Sequence, residues 1–406
     1  MDVEQANELY ELAYRMAAEA TRLRDALETE FLSQQITGVV DDDYDLGRVV
    51  SVEQVLGGYV NLSFAVVTRA ADGEHRYFVR KYNRYADENE ICFEHALTCH
   101  INSRDHIAAE VYPNKLGRTL VTREELLDGQ RIPRFFAVYE LLGGEDRYTW
   151  VKNRCTDAEF ESGGRMLARF HALAHDFDPG GFARHQPPIM EFLRTLGETF
   201  TSCADRAADT KFGECLFSRL PGVFEVLRKG AAIEPRLAGM PYIPVHCDYH
   251  PGNLKWVGEE AVALFDFDWS KLDYRLFDVA EGIVYFCSSW EGPDDGEIRL
   301  DKARLFVRAY QEEAARYAMP GPMSEAELAC LPRMVANANL YVLNWDITAY
   351  DCARDPDVDE YLFFLTHQLA FMEYIEAHQD ELAALAASAA TVGVASSGSE
   401  GGGSAA

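Results

Sequence analysis

The sequence predicts an α+β chain of two lobes, a small antiparallel β lobe followed by a larger, mainly helical one. Two observations carry this. Residues 48–82 concentrate β-branched and aromatic residues in short runs broken at Gly57-Gly58 and Asp72-Gly73. Beyond residue 155, apolar residues recur instead at helical spacing, over 190–203, 212–229, 302–317, 325–345 and 359–385, around one strand-rich island at 242–268. A chain of 406 residues is long enough for each lobe to bury its own core.

Taken in order, residues 5–33 set Leu9, Leu12, Ala13, Met16 and Ala17 at helical spacing, so 1–46 reads as a helical N-terminal extension. The β lobe, 47–142, opens with the strand runs VVSVEQVL, NLSFAVVT and RYFVRKY. A helix is expected over 87–101, then strands in AAEVYP, RTLVT and RFFAVYELL, which ends at Gly143-Gly144. Thr156-Asp157-Ala158-Glu159 is a capping-box sequence that opens the first long helix of the helical lobe, 143–385, through Phe160, Leu167, Phe170 and Ala174. The small, polar stretch 386–406 is expected to be a disordered tail.

Composition narrows the partners. Asp and Glu outnumber Lys and Arg by 67 to 38, a formal charge of −29, which repels nucleic-acid phosphates and anionic lipid. Neither nucleic acid nor a membrane is an expected partner. The nine cysteines are scattered singly, without the density of a disulfide scaffold or the pairing of a zinc ribbon. The N-terminal stretch has neither the basic start nor the apolar run of a signal peptide, and nothing approaches a membrane helix of about 18 apolar residues. The expected compartment is the reducing cytoplasm.

The chemistry sits in the island, which reads VHCDYHPGNLKWVGEEAVALFDFD from Val245 to Asp268. A hairpin turning at Glu259-Glu260 would set Leu254 against Phe265 and Asn253 against Asp266. An amide oxygen and a carboxylate then converge, as a magnesium ion sharing its ligands with nucleotide phosphates requires. Asp248, five residues before Asn253, can orient an attacking hydroxyl and accept its proton. His246 is grouped with it and suits a bracing role better than that of a second base. Gly57-Gly58, between two strands, would lay backbone N–H groups over phosphates.

The order His246-x-Asp248-x4-Asn253, followed thirteen positions later by Asp266-Phe267-Asp268, resembles the catalytic and metal-binding loops of the protein-kinase-like fold. More closely, HCDYHPGNLKW with ALFDFDWSKLDYRLFDVA resembles the aminoglycoside phosphotransferase superfamily, which includes choline and ethanolamine kinases, type II homoserine kinases and methylthioribose kinases. The resemblance spans roughly residues 50–370 and implies the bilobal protein-kinase-like fold. It implies Asp248 as catalytic base, with Asn253 and Asp266 binding Mg2+. Asp268 replaces the Gly of protein kinases, as a second metal ligand or a solvated carboxylate. Asp278 matches an Asp that buttresses the catalytic loop.

On the nucleotide side, Leu56-Gly57-Gly58-Tyr59-Val60-Asn61 resembles the family's glycine loop. Arg80 and Lys81 compete as the phosphate-binding base; Arg80 fits the family pattern, and Lys81 takes the role if Val79 touches the adenine. Glu94 fits the family's ion-pair position, with Glu90 one turn earlier as the alternative. Glu140 through Leu142 matches the hinge that reads the adenine edge. His171 and His175, one helical turn apart without a third ligand, read as structural. On the acceptor side, 269–273, 288–291 and 344–346 set aromatic and acidic groups that either enclose an ammonium or pack in the core. The run Phe-Asp-Val-Ala to Cys-Ser-Ser-Trp leans toward the homoserine kinase branch.

The expected function is therefore ATP-dependent, Mg2+-assisted transfer of the γ-phosphoryl group to a hydroxyl of a small molecule: an amino alcohol, an amino acid such as homoserine, an aminosugar or an aminoglycoside. A nucleotide-binding pseudokinase with a regulatory role is the alternative, and the intact Asp248, Asn253 and Asp266 weigh against it.

Overall fold

The computed structural model describes residues 27–55, 60–127, 129–353 and 356–390. The chain divides into two compact units, Met1–Glu88 with Glu110–Leu141, and Asn89–Ala109 with Leu142–Ala406.

The first unit is built on strands β1 (Arg48–Val55), β2 (Leu62–Ala70), β3 (Gly73–Lys81), β4 (Val121–Leu127) and β5 (Gln130–Glu140). They form an antiparallel sheet in the order β1-β2-β3-β5-β4. Residues 27–43 form a helix, α1, that lies on one face of it. Its Leu32, Ile36, Val39 and Val40 recur at helical spacing and close a core with Phe64, Val66, Val79, Phe136 and Val138. The described part of the expected N-terminal extension is thus integral to the β unit. AAEVYP, expected as a strand, contributes only isolated bridges, Val111 to Tyr139 in this unit and Ala108 to Leu264 in the other.

The second unit is helical: α2 (Glu88–Asn102), α3 (Asp157–Ala174), α4 (Ile189–Arg206), α5 (Lys211–Ala231), α6 (Arg275–Cys287), α7 (Leu300–Ala314), α8 (Glu325–Cys352), α9 (Val358–Ala377) and α10 (Gln379–Ala390). Phe93, Leu97 and Ile101 bury α2 in the helical core, with Phe93 edge-on to Phe177 at 5.5 Å. The capping box forms as the sequence suggests: Glu159 N–H donates to Thr156 Oγ1, and Thr156 N–H donates back to Glu159. Gly163 lets α3 approach α6, since a Cβ there would stand 2.7 Å from the Phe286 ring. Helix α6 lies outside the helical stretches expected from the sequence, although Arg275, Asp278, Glu281 and Tyr285 recur along it at helical spacing. Every residue in it except Tyr285 is buried. The expected helix over 359–385 is two, α9 and α10, and α10 runs on to Ala390. Among the described residues, no helix is long and apolar enough to cross a membrane.

Two short antiparallel pairs stand among these helices. β6 (Tyr242–Val245) pairs with β9 (Lys271–Tyr274), and β7 (Leu254–Val257) with β8 (Glu260–Leu264). They carry the candidate site.

Candidate active site

The loop after β6 owes its shape to one carboxylate. Asp278, in the first turn of α6, is fully buried and accepts the backbone N–H groups of His246 at 2.8 Å and Cys247 at 3.0 Å. His171 Nε2 donates to the same carboxylate at 3.0 Å, and Tyr310 hydroxyl donates to His171 Nδ1 at 2.8 Å. Burial drives Asp278 upward, but the His171 hydrogen bond and charge and the loop amides outweigh it and hold it below the ordinary range. Burial lowers His171 from the ordinary imidazole range, against the hydrogen bond and charge of Asp278. His171 braces Asp278, and His175 Nδ1 bonds the Ala172 carbonyl. The clamp sustains Cys247 at φ 62°, a left-handed conformation that a side chain ordinarily avoids.

That turn delivers Asp248. Its side chain is 22% exposed, and Asn253 Nδ2 donates both to its Oδ2 and to its backbone oxygen, each at 2.9 Å. Only the nitrogen end of an amide can face a carboxylate, so the Asn253 oxygen is turned the other way. His250 Nδ1 accepts from Gly252 N–H at 3.0 Å, and its Nε2 lies 3.7 Å from Asp248. Burial, then the negative charge of Asp266, raise the Asp248 carboxyl to about 7, against hydrogen bonds from Asn253 and Tyr285.

The hairpin differs from the expected one. Val257 pairs with Glu260 across a two-residue turn, with Gly258 at φ 59°, and the ladder shifts between Lys255 and Trp256. Asn253 consequently faces Phe265, whose N–H donates to the Asn253 carbonyl at 3.1 Å, and not Asp266. Glycine takes the left-handed turn position without a Cβ penalty, which moves the turn one residue earlier than Glu259-Glu260. Asp266 follows Phe265 at φ 69°, the other described non-glycine residue with positive φ. A bent backbone, rather than ladder register, carries its side chain.

His246 is buried and its Nε2 donates to the Phe265 carbonyl at 3.0 Å. That bond ties the Asp248 loop to the residue before Asp266. The protonated nitrogen is committed and the ring sealed, so His246 has the geometry of a brace and not of a base. The backbone oxygen of Asp268 accepts from Arg184, whose guanidinium lies 4.7 Å from the Trp269 ring centroid.

Among the described residues, no group of three His, Cys, Asp or Glu side chains forms a metal cage. A magnesium ion needs less, because nucleotide phosphates and water complete its shell. The free orientation of the Asn253 oxygen and the like-charge pressure of Asp266 on Asp248 both suit a cation here.

In the β unit, Arg80 and Lys81 point to opposite faces. Lys81 Nζ turns under α1, 2.7 Å from Gln35 Oε1 and 2.5 Å from Glu125 Oε1. Arg80 lies on the other face, 5.7 Å from the Tyr139 ring centroid. Asn61 Oδ1 accepts Asn83 N–H at 2.9 Å, and Glu140 Oε2 accepts Glu110 N–H at 3.3 Å. Gly57 and Gly58 lie outside the described residues. Glu94 is buried on α2 in the helical unit, while Glu90 accepts His185 N–H at 2.8 Å. Leu142 is the first residue of that unit's main segment.

Tyr285 and Asp346 were not singled out as site residues. Tyr285 lies two helical turns beyond Asp278 on α6 and packs edge-on to His250 at 5.4 Å. Asp346 lay within the 344–346 run and is fully buried on α8, with neither carboxylate oxygen hydrogen-bonded among the described residues. Burial pushes its carboxyl well above the usual range. The unfolded chain ionises such a group near pH 4, whereas the fold holds its proton to higher pH. Each pH unit between those limits therefore costs the fold about 1.4 kcal/mol. Asp346→Asn does not titrate, so its urea midpoint should gain on the wild type as pH rises from about 4 to 7. Parallel midpoints across that range would refute this.

A model of the phosphotransferase enzyme family matches residues 51–317. Homoserine kinase from Bradyrhizobium sp. strain BTAi1 is 26% identical over 301 residues, covering 74% of this chain and 79% of that one. Homoserine kinase from Rhodospirillum rubrum is 27% identical over 318 residues, covering 76% and 85%. Among solved structures, a microcompartment-associated aminopropanol kinase superposes with a TM-score of 0.59 at 19% identity, covering 85% of this chain and 98% of that one. An amicoumacin kinase in complex with AMP-PNP, Ca2+ and Ami also gives 0.59, at 16% identity over 87% and 96%.

Proposed function

Since the chain belongs to the phosphotransferase enzyme family and is a small-molecule alcohol phosphotransferase, we propose that it moves the γ-phosphoryl group of ATP onto a hydroxyl of an amine-bearing metabolite or antibiotic, with Mg2+. The observation that carries this reading is the Asp248 carboxylate, presented by a strained turn that Asp278 clamps and oriented by Asn253. Asp248 accepts the acceptor's hydroxyl proton as that oxygen bonds to the γ-phosphorus and the bond to the ADP oxygen breaks. Asn253, through its amide oxygen, and Asp266, through its carboxylate, would hold Mg2+, which when bound offsets phosphate charge and the Asp266 field on Asp248. Asp268 is left as a carboxylate beside that pair. His246 braces the loop that carries the base.

Arg80 is the proposed phosphate ligand, with Gly57, Gly58 and Asn61 in the glycine loop and Glu140 to Leu142 at the adenine edge. Lys81 is already spent on Glu125 and Gln35 beneath α1. Arg80→Met should raise KM for ATP about 10- to 100-fold, the worth of a charge-assisted hydrogen bond. Lys81→Met should leave KM within about twofold and lower Tm instead, because it removes the buried cation nearest Glu125 and leaves only Arg134 and Gln35 to answer it. The reverse pattern would assign the phosphates to Lys81. The reading as a whole is tested by acceptor-dependent ADP release from MgATP, against pooled homoserine, amino alcohols, aminosugars and aminoglycosides. Silence from every pool, with no nucleotide bound, would refute it.

A further inference from the structure

Among the described residues of the helical unit, most buried carboxylates have partners for both oxygens; Glu281 leaves one oxygen unpaired and Asp346 leaves two. Glu327 pairs with Arg275 at 2.7 Å, Asp273 with Lys271 at 3.2 Å, and Asp278 holds the catalytic loop. Asp346 is 0% exposed, and both of its oxygens lack a hydrogen-bond partner among the described residues. Among the described residues no cationic side chain pairs with it, and burial raises its carboxyl. A fold does not bury two orphaned carboxylate oxygens for stability, and a built-in vacancy for donors is the physical reading.

Its surroundings are aromatic. The neighbouring Trp345 packs on Trp150 with centroids 5.7 Å apart, and Trp150 packs on Trp290 at 5.1 Å and on Phe364 at 4.7 Å. Trp150 and Trp345 are only half-buried, and the buried Trp290 Nε1 also lacks a partner among the described residues. Tyr285 packs edge-on to His250 of the Asp248 loop at 5.4 Å, and Thr149, next to Trp150, abuts Gly252 of the same loop. The aromatic cluster beside Asp346 therefore adjoins the loop that presents Asp248.

We infer that Asp346 receives an ammonium group of the acceptor that carries N–H bonds, so that primary and secondary amines are accepted and quaternary ones refused. This deepens the phosphotransferase reading and rests on it. An aromatic wall alone attracts any organic cation. Two orphaned oxygens select further, because a primary ammonium brings three donors whereas a trimethylammonium brings none and leaves both oxygens unsatisfied. The arriving positive charge also restores the ionised carboxylate.

The test is direct binding to the full-length chain by calorimetry and by tryptophan fluorescence, with ADP release measured beside it. The probes are ethanolamine against choline, and L-homoserine against 4-hydroxybutyrate, which lacks the amine. At least one primary amine should bind ten times or more tightly than its counterpart. Asp346→Asn and Asp346→Leu should each lose that preference and tenfold or more in amine affinity, with MgATP affinity unchanged. The inference is overturned if the variants bind amine like the wild type, if choline matches ethanolamine, or if no amine binds. Amine binding that depends on Asp346 without any ADP release would sustain this site and remove the phosphotransferase reading alone.

Discussion

Asp248→Asn should lower kcat by about 10²–10⁴-fold, the usual contribution of a positioned base, and leave MgATP affinity within about twofold. The substitution keeps the shape and an oxygen that can accept from Asn253, so the loop should persist. It also removes a carboxylate that burial and Asp266 hold at about 7, far above its unfolded value. The folded state of the wild type carries that penalty above about pH 4, hence Tm of the variant at pH 7 should equal or exceed that of the wild type. Loss of turnover with an unchanged or higher Tm identifies a chemical role; loss of both would point to a structural one. Retention of more than about a tenth of kcat would remove Asp248 from the role of base.

Asp278→Ala should have the largest effect on stability. It deprives the His246 and Cys247 amides and the His171 imidazole of their shared acceptor, all inside the core. Removing one partner of a buried charged network costs about 3–5 kcal/mol, which denaturant unfolding reads directly. Cys247 would then relax from φ 62°, and Asp248 with it, so the folded fraction should also lose most of its turnover. Asp278→Asn retains one acceptor oxygen and should fall between the wild type and alanine. A variant with wild-type unfolding free energy would show that the clamp is not what holds the loop.

Much of this was legible along the chain. The β lobe could be read because its first strands concentrate β-branched and aromatic residues between glycine-marked turns. The capping box at Thr156 and Glu159 is local chemistry between residues three apart, and it forms. The His246, Asp248 and Asn253 spacing is likewise local, because the loop that carries them is too short to separate them.

What the sequence determined by itself, then, is whatever depends on neighbours in the chain: strand alternation, helix caps, and the reacting loop. Tertiary structure decided the rest. Whether Arg80 or Lys81 is spent depended on which face of the sheet α1 covers, and the sequence of β3 is silent on that. The hairpin register depended on a turn at Gly258 and a shift at Trp256, not on the pairing of side chains. Helix α6 buries its polar residues Arg275, Asp278 and Glu281 along with its apolar ones, and packing decides that Asp278 clamps the catalytic loop. Asp346 looks like any helical Asp until the packing of α8 removes water from both its oxygens and supplies no replacement. Periodicity records one buried face at a time, and these features arise where several elements bury the same residue together.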